Sequence, residues 1–328
     1  MEILVADRFP ETHLARLREL GHDVDHRPDL QVDDLAAAVA GRQVLVVRST
    51  RVPRAVLEAA DALRLVVRAG SGTDTIDADA AAEHGIAVCN VPGRNALAVA
   101  ELAFGLLLAL DRRLPDQVAD LRGGRWRKKE YQRAEGVAGR RVGVVGVGDI
   151  GLAFAQRAAA FACHVHVVAK ADRAPEVRDR LEELGATEVA DLEALAAACD
   201  VLSFHLPLTA ATRGVIGRPL LDHVRPGAIL INTARGELVD EDALLAAIEA
   251  KGLRVGLDVF PDEPAAGSAE YRSRLASHPS VYGTHHVGAS TAQAQEAIAD
   301  EVVAMLDAFT HGELRHCVNG VELAGVAR

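Results

Sequence analysis

Aromatic side chains are nearly missing from this 328-residue chain, where Phe, Trp and Tyr together make up 3%. A core without large rings must be filled by Ala, Val and Leu. Cysteine is scarce as well. Cys89, Cys163, Cys199 and Cys317 stand far apart with no C-x-x-C spacing, so a disulfide framework is not expected. Reduced, mostly buried thiols of a cytoplasmic protein are the expected state. No histidine or cysteine set shows metal-ligand spacing, and no metal is expected. There is no surplus of positive charge: the formal net charge of −11 argues against a nucleic-acid surface. The one basic cluster, RGGRWRKK at 122–129, reads as a solvated segment. Long apolar runs are also lacking. The longest, LAFGLLLAL at 102–110, falls short of the ~18 residues that a membrane span asks for and is not placed as a signal peptide.

What is present is 49% hydrophobic and 25% charged residues, the balance of a soluble globular protein. The length suits about two domains. The first ~97 residues alternate strand and helix. ILVA (3–6), VLVV (44–47), LVV (65–67) and IAVC (86–89) read as strands, with helices at 11–20, 32–40, 53–60 and 77–85 between them. A long helix starts near Ala96, apolar around most of its circumference and therefore buried, and Pro115 ends it. Beyond it come seven more strand-like runs, at 141–145, 165–168, 187–189, 201–204, 228–232, 254–259 and 281–284, separated by loops and helices. The last helix, from Ser290 as expected N-cap, has no strand after it to cover. It is expected to cross back onto the first domain, which makes that domain discontinuous: 1–96 with 288–328, around 97–287. The fold class is α/β, two doubly wound parallel sheets.

The stretch GRRVGVVGVGDIG (139–151) carries the most specific local signal. A valine-rich strand runs straight into Gly146, Gly148 and Gly151 in G-x-G-x-x-G spacing, and a helical segment follows. One glycine makes the turn, the next admits a pyrophosphate against backbone, and the third lets helix pack on strand, with the helix N-terminus facing the phosphates. Dinucleotide binding is the expectation.

Ligands of an open parallel sheet bind beyond the carboxyl ends of its strands. Three such ends carry chemistry: TARG places Arg235 after 228–232, PDEP places Glu263 after 254–259, and HHVG places His285 and His286 after 281–284. Arginine holds a carboxylate through two parallel hydrogen bonds. Histidine gives or takes a hydroxyl proton, and a carboxylate beside it orients the ring. With a nicotinamide cofactor to carry hydride, this trio suits interconversion of a 2-oxo and a 2-hydroxy acid.

On these residues the chain resembles the D-isomer-specific 2-hydroxyacid dehydrogenases, and within them the D-3-phosphoglycerate dehydrogenase branch. The motifs are GRNALAVAELAFGLLLAL (93–110), GVGDIG (146–151), HLPLTAATRGVIG (205–217), INTARGELVDEDAL (231–244), GLDVFPDEP (256–264) and THHVGAST (284–291). The resemblance implies a Rossmann-type cofactor domain with a smaller flavodoxin-like substrate domain. It implies Arg235 as substrate clamp, Glu263 as partner of the histidine, and His286 as acid/base. It further implies that Ser71, Gly146, Gly148, Asp149, Ile150, Gly151, Lys170, Leu206, Thr233, Ala234, Asp258 and Gly288 contact the cofactor, Asp258 through the nicotinamide carboxamide. Arg48, Ser49, Gly70, Ser71 and Gly72 would contact substrate, the 70–72 turn through backbone N–H groups. The segment 96–135 resembles the family's dimerisation arm, so a homodimer is implied, with Lys128 offered to the partner's site.

Three departures qualify this. The chain has Thr284-His285-His286 where the family has Thr-Pro-His, so His285 could be mistaken for the catalyst. Neighbours in an extended chain point opposite ways. Where an acidic residue should accept the ribose 2′-OH, the chain has Ala169, followed by Lys170 and Arg173. A basic residue there accommodates a 2′-phosphate, so NAD and NADP both stay open, with Asp172 as the residue that would serve NAD. With the sequence ending at Arg328, the regulatory domain common in phosphoglycerate enzymes is not expected. The expected substrate is 3-phosphoglycerate/3-phosphohydroxypyruvate, as in serine biosynthesis, with glyoxylate, hydroxypyruvate or another 2-oxo acid as alternative. A nicotinamide-sensing binding protein of corepressor type is the alternative from another class.

Overall fold

The computed structural model describes residues 1–264 and 268–322; the outer limit expected for the first domain, residue 328, lies outside them. The chain forms two compact units, Met1–Asn95 with Ala289–Arg328, and Ala96–Gly288.

The first unit holds strands β1 (Glu2–Val5), β2 (Asp23–His26), β3 (Val44–Val47), β4 (Leu65–Arg68) and β5 (Ala87–Asn90), all parallel, in the order β2-β1-β3-β4-β5. This is the flavodoxin-type order. Side chains alternate faces along each strand. Ile3, Val5, Val44 and Val46 pack on one side with the 292–310 helix, and Leu4, Leu45, Val47 and Val66 on the other with Leu35 and Leu57. Both faces are covered, which is why the strands read as unbroken apolar runs. The exception is β2. Its DVDH buries only Val24, because it is an edge strand held by backbone bonds to β1, and hydrophobic patterning overlooks it.

Ala292–Thr310 contributes Ile298, Val302, Met305, Leu306 and Phe309 to that core at helical spacing. Its N-cap is Thr291 rather than the expected Ser290. Thr291 Oγ1 accepts from Ala294 N at 3.1 Å, whereas Ser290 Oγ accepts from Arg48 Nη2 at 2.8 Å. A cap must reach the N–H three residues on, and only residue 291 does.

The second unit holds β6 (Arg141–Val145), β7 (His164–Val168), β8 (Thr187–Val189), β9 (Val201–Phe204), β10 (Ile229–Asn232), β11 (Arg254–Leu257) and β12 (Val281–Gly283). The order is β12-β11-β10-β9-β6-β7-β8, again parallel throughout. This is the dinucleotide-binding order, and it reverses direction between β6 and β9. The long helix Ala96–Arg112 lies over Val142, Val144, Ile229 and Ile231 together with the helix Asp149–Ala160. Gly256 on β11 permits that contact, since a Cβ there would sit 3.1 Å from Leu106 Cβ. The long helix stops at Arg112, not at the proline. Arg113 turns left-handed (φ 51°) and Pro115 lies in the first turn of the next helix, Leu114–Arg122, where its missing N–H is no loss.

Candidate active site

Strands β10, β11 and β12 are neighbours, in register as Asn232↔Leu257 and Leu257↔Gly283, so the loops leaving their carboxyl ends lie side by side. After β10, buried Asn232 closes a tight turn: its Nδ2 donates to Arg235 O (2.7 Å) and its Oδ1 accepts from Ala234 N (3.0 Å). Arg235 Nη1 donates to Ala234 O at 2.6 Å, which fixes the plane of the guanidinium. The next residue must be glycine. A Cβ on Gly236 would lie 2.1 Å from the carbonyl carbon and oxygen of Phe260, so the arginine turn rests on the backbone leading to Glu263.

Asp258 organises the loop after β12. It is 1% exposed, and its Oδ1 accepts from Thr284 Oγ1 (2.6 Å) and Val287 N (2.9 Å), its Oδ2 from Gly288 N (2.8 Å). His286 N donates to Asp258 O at 2.7 Å. These bonds hold His286 in the left-handed region, φ 52°, an uncommon setting for a non-glycine residue. Asp262, just before Glu263, is left-handed too, at φ 56°. Between these turns, His286 Nδ1 meets Glu263 Oε1 at 2.9 Å, with the ring half exposed. Because residue 286 leaves the extended region, alternation does not separate the two histidines; the turn braced by Asp258 is what sets His286 against Glu263. His285 is exposed and has no hydrogen bond or ion pair among the described residues.

The glycine turn lies at the switch between β6 and β9. Gly146 has φ 92°, and a Cβ on it would come within 2.6 Å of His205 O, at the exit of β9. A Cβ on Gly151 would lie 1.9 Å from Gly146 O, so this position lets the Asp149–Ala160 helix sit on its strand. Beside Gly148 there is open space, and no side chain caps this helix. Free N–H groups of Asp149, Ile150 and Gly151 thus face a gap that accommodates a pyrophosphate. Leu206 Cδ2 borders the turn, 3.1 Å from where a Gly146 Cβ would be. Thr233 Oγ1 is buried without a hydrogen-bond partner among the described residues, as a hydroxyl awaiting a ligand would be. The residues present fit a bound dinucleotide.

At the end of β7, Lys170 is exposed and 3.6 Å from Asp172. Arg173 is neither solvated nor free: it is 7% exposed, donates Nη2 to Val168 O at 2.6 Å and faces Glu188 at 3.6 Å. Lys170 is therefore the cation this corner has available. His205, at the exit of β9, packs its ring on Phe154 (centroids 5.2 Å apart), with Nε2 2.9 Å from Ser203 Oγ and Nδ1 unpartnered among the described residues. Burial pushes its pKa down to about 3, so the ring is neutral.

In the first unit, Arg48, Ser49 and Thr50 all direct their N–H groups to Asp7 Oδ2, at 2.6, 3.1 and 3.1 Å. Burial lowers the Arg48 pKa, against the pull of Asp7. Gly70 has φ 150°, and its N–H donates to Arg68 O, so this donor of the turn is already engaged. Ser71 is held from both sides: its Oγ donates to Asn95 Oδ1 (2.9 Å), and its carbonyl accepts from Asn90 Nδ2 (2.6 Å).

Residues 104–288 match the family model described as D-isomer specific 2-hydroxyacid dehydrogenase, NAD binding domain. The hydroxypyruvate reductase of Thermotoga maritima is 40% identical over 276 residues, 84% of this chain and 87% of that protein. The chain belongs to the D-isomer specific 2-hydroxyacid dehydrogenase family. Another relative in this family, the D-3-phosphoglycerate dehydrogenase of Methanocaldococcus jannaschii, is 37% identical over 316 residues, covering 96% of this chain but 58% of its own length. The chain thus spans little more than half of that relative. Among solved structures, the NADPH-dependent glyoxylate/hydroxypyruvate reductase of Sinorhizobium meliloti, in complex with NADP and malonate, superposes with a TM-score of 0.83 at 31% identity over 99% of both chains.

Several residues that shape these turns carry little signal in a single sequence. Asn232, Gly236 and Asp7 act on the backbone that carries Arg235 and Arg48, and Thr284 acts on the Asp258 carboxylate. An Asn or Asp where an apolar strand ends is the trace that could have flagged Asn232 and Asp7.

Proposed function

We propose that the chain transfers hydride between a nicotinamide dinucleotide and a small D-2-hydroxy acid or its 2-oxo counterpart. The observation that carries this reading is the His286 Nδ1–Glu263 Oε1 contact at 2.9 Å, set by the Asp258 brace at the mouth of a dinucleotide-type sheet. With Nδ1 engaged by the carboxylate, Nε2 is the nitrogen left for substrate. In the reductive direction it gives its proton to the oxygen of the carbonyl; in the oxidative direction it takes the hydroxyl proton. Glu263 keeps the ring oriented and sets negative charge beside its protonated form. Arg235 holds the substrate carboxylate through its guanidinium. The dinucleotide, when bound, donates or accepts the hydride.

We assign substrate contacts to Arg48, Ser49 and the Gly70–Gly72 turn, and cofactor contacts to the Gly146–Gly151 turn with Ser71, Lys170, Leu206, Thr233, Ala234, Asp258 and Gly288. The first unit is then the substrate-side domain and the second the cofactor domain. Phosphohydroxypyruvate/3-phosphoglycerate is the leading substrate. Arg48 supports it as a cation beside the Ser71 turn, and so does the name of the M. jannaschii relative. Hydroxypyruvate or glyoxylate is the second reading, favoured by the T. maritima relative that the chain nearly spans. A homodimer through 96–135 is supported by exposed Leu97, Leu114, Val118, Leu121 and Trp126. Rates with NADH and NADPH against phosphohydroxypyruvate, hydroxypyruvate and glyoxylate test these assignments together. Turnover with at least one acid is expected, and none with any of them would refute the enzymatic reading, leaving the nicotinamide-dependent binding protein.

A further inference from the structure

The fold of the first unit brings together two cysteines that lie far apart in sequence. Cys89 is buried on β5, the last strand of its sheet. Residues 316–318 run antiparallel to it. Asn90 N donates to His316 O (3.2 Å) and Val318 N to Val88 O (2.8 Å), with Cys89 bridged to Cys317 between them. The two bonds flank the cysteine pair rather than joining it, which defines a non-hydrogen-bonded antiparallel pair. In such pairs the Cα atoms are ~4.5 Å apart and the side chains are at their closest. That spacing is inside the roughly 4.4–6.8 Å range of disulfides.

The segment is held in this register independently of the sulfurs. Asn319 Oδ1 accepts from Val88 N (3.0 Å) and its Nδ2 donates to Ile86 O (2.9 Å). Cys317, only partly buried, reaches Asn319 Oδ1 at 3.3 Å and Val321 O at 3.5 Å. Cys163 and Cys199 are buried in separate clusters of the second unit.

We infer that Cys89 and Cys317 form a modification site, a thiol pair that closes reversibly into an intramolecular cross-strand disulfide. The oxidant is a low-molecular-weight disulfide such as oxidised glutathione. The thiolate of Cys317, the reachable partner, attacks one sulfur of the oxidant and displaces a thiolate, leaving a mixed disulfide. The Cys89 sulfur, giving up its proton, then attacks Cys317 Sγ and displaces the second thiolate. The protein loses two protons and two electrons, and one oxidant disulfide becomes two thiols. Burial, then Cys317 itself, pushes the Cys89 thiol up to about 12, so Cys317 is the point of entry. The bridge ties the segment after the last helix to the edge strand and closes a very long loop, which raises resistance to unfolding.

The test treats the full chain with oxidised glutathione or with dithiothreitol, denatures it, and labels free thiols with a maleimide. Four labels are expected after reduction and two after oxidation, with a Cys89–Cys317 cross-linked peptide that dithiothreitol reverses. Cys317→Ser, at a partly exposed position, should take up three labels under both conditions. Four labels after oxidation, a stable mixed disulfide on Cys317 alone, or a link to another cysteine or another chain would overturn the inference. None of these readouts depends on catalytic activity.

Discussion

Replacing Asp258 by alanine removes the acceptor for the Thr284 hydroxyl and the Val287 and Gly288 N–H groups. Hydrogen bonds to a charged acceptor contribute about 1.5–3 kcal/mol each. The simple sum overstates the loss, because the Thr284 and Val287 donors can turn to water once the loop loosens. Gly288 N–H is buried and cannot, and an orphaned buried donor costs about 1–3 kcal/mol. A net destabilisation of roughly 3–5 kcal/mol follows, survivable for a protein with about 5–15 kcal/mol in hand. Without the brace only the His286 N–Asp258 O bond and the Glu263 contact hold His286 in its left-handed setting, which itself costs on the order of 1–3 kcal/mol. The imidazole should drift from Glu263, and misplacement by about 1 Å can lower turnover ~10²-fold. Urea unfolding followed by circular dichroism measures the first effect, and nicotinamide absorbance with a 2-oxo acid the second. Asp258→Asn separates two roles of the same side chain. If it braces the loop, kcat falls; if its main role is the nicotinamide carboxamide, KM for the dinucleotide rises with kcat preserved. An Asp258→Ala protein within about 0.5 kcal/mol of the parent, with unchanged kcat, would refute the reasoning.

His286→Ala should lower kcat by ~10²–10⁴ while His285→Ala leaves it near the parent value; the reverse pattern in steady-state rates would move the acid/base role. Gly151→Ala forces a Cβ to 1.9 Å from Gly146 O, and overpacking of this kind costs about 1–3 kcal/mol or more; a melting temperature equal to the parent's would contradict the close contact. Ala169→Asp supplies a carboxylate for a ribose 2′-OH and opposes a 2′-phosphate, so kcat/KM with NADH over that with NADPH should rise about tenfold or more, equivalent to about 1.4 kcal/mol. For pH, His205 is the residue to follow. Its folded pKa is depressed to about 3 from an ordinary 6.5, so below 6.5 the unfolded chain binds a proton that the native ring refuses. Stability contributed by the neutral ring is therefore complete above pH 6.5 and lost progressively as pH falls toward 3, on the order of 5 kcal/mol at about 1.4 kcal/mol per unit. His205→Asn should flatten that slope in urea midpoints measured at pH 7, 5 and 4; parallel slopes would count against a buried neutral ring.

Much of this architecture is legible residue by residue. Covered parallel strands need apolar runs, and most of the strands among the described residues announce themselves in that way; β8, at an edge and made of Thr, Glu and Val, does so weakly, and β2, at the other sheet's edge and made of Asp, Val, Asp and His, has backbone pairing as its main support. The G-x-G-x-x-G turn reads directly because its glycines answer to local backbone geometry: a positive φ at Gly146 and a helix in contact with strand at Gly151. Composition and periodicity also sufficed to put Arg235, Glu263 and His286 at strand exits, since a strand's end is a local property.

What neighbouring residues cannot encode is which exits lie together and how each is held. The β12-β11-β10 order puts three loops side by side, Gly236 lets one rest on another, and a buried carboxylate at 258 braces the turn in which His286 meets Glu263. Ser290 and Thr291 are equally good caps on paper, and the choice fell to the one whose hydroxyl reaches Ala294 N, the other being taken by Arg48. Cys89 and Cys317 are more than two hundred positions apart, yet they pair across two strands. Chain chemistry acts over a few residues, whereas hydrogen bonds and close contacts act over a few ångströms, and only folding turns the one kind of distance into the other.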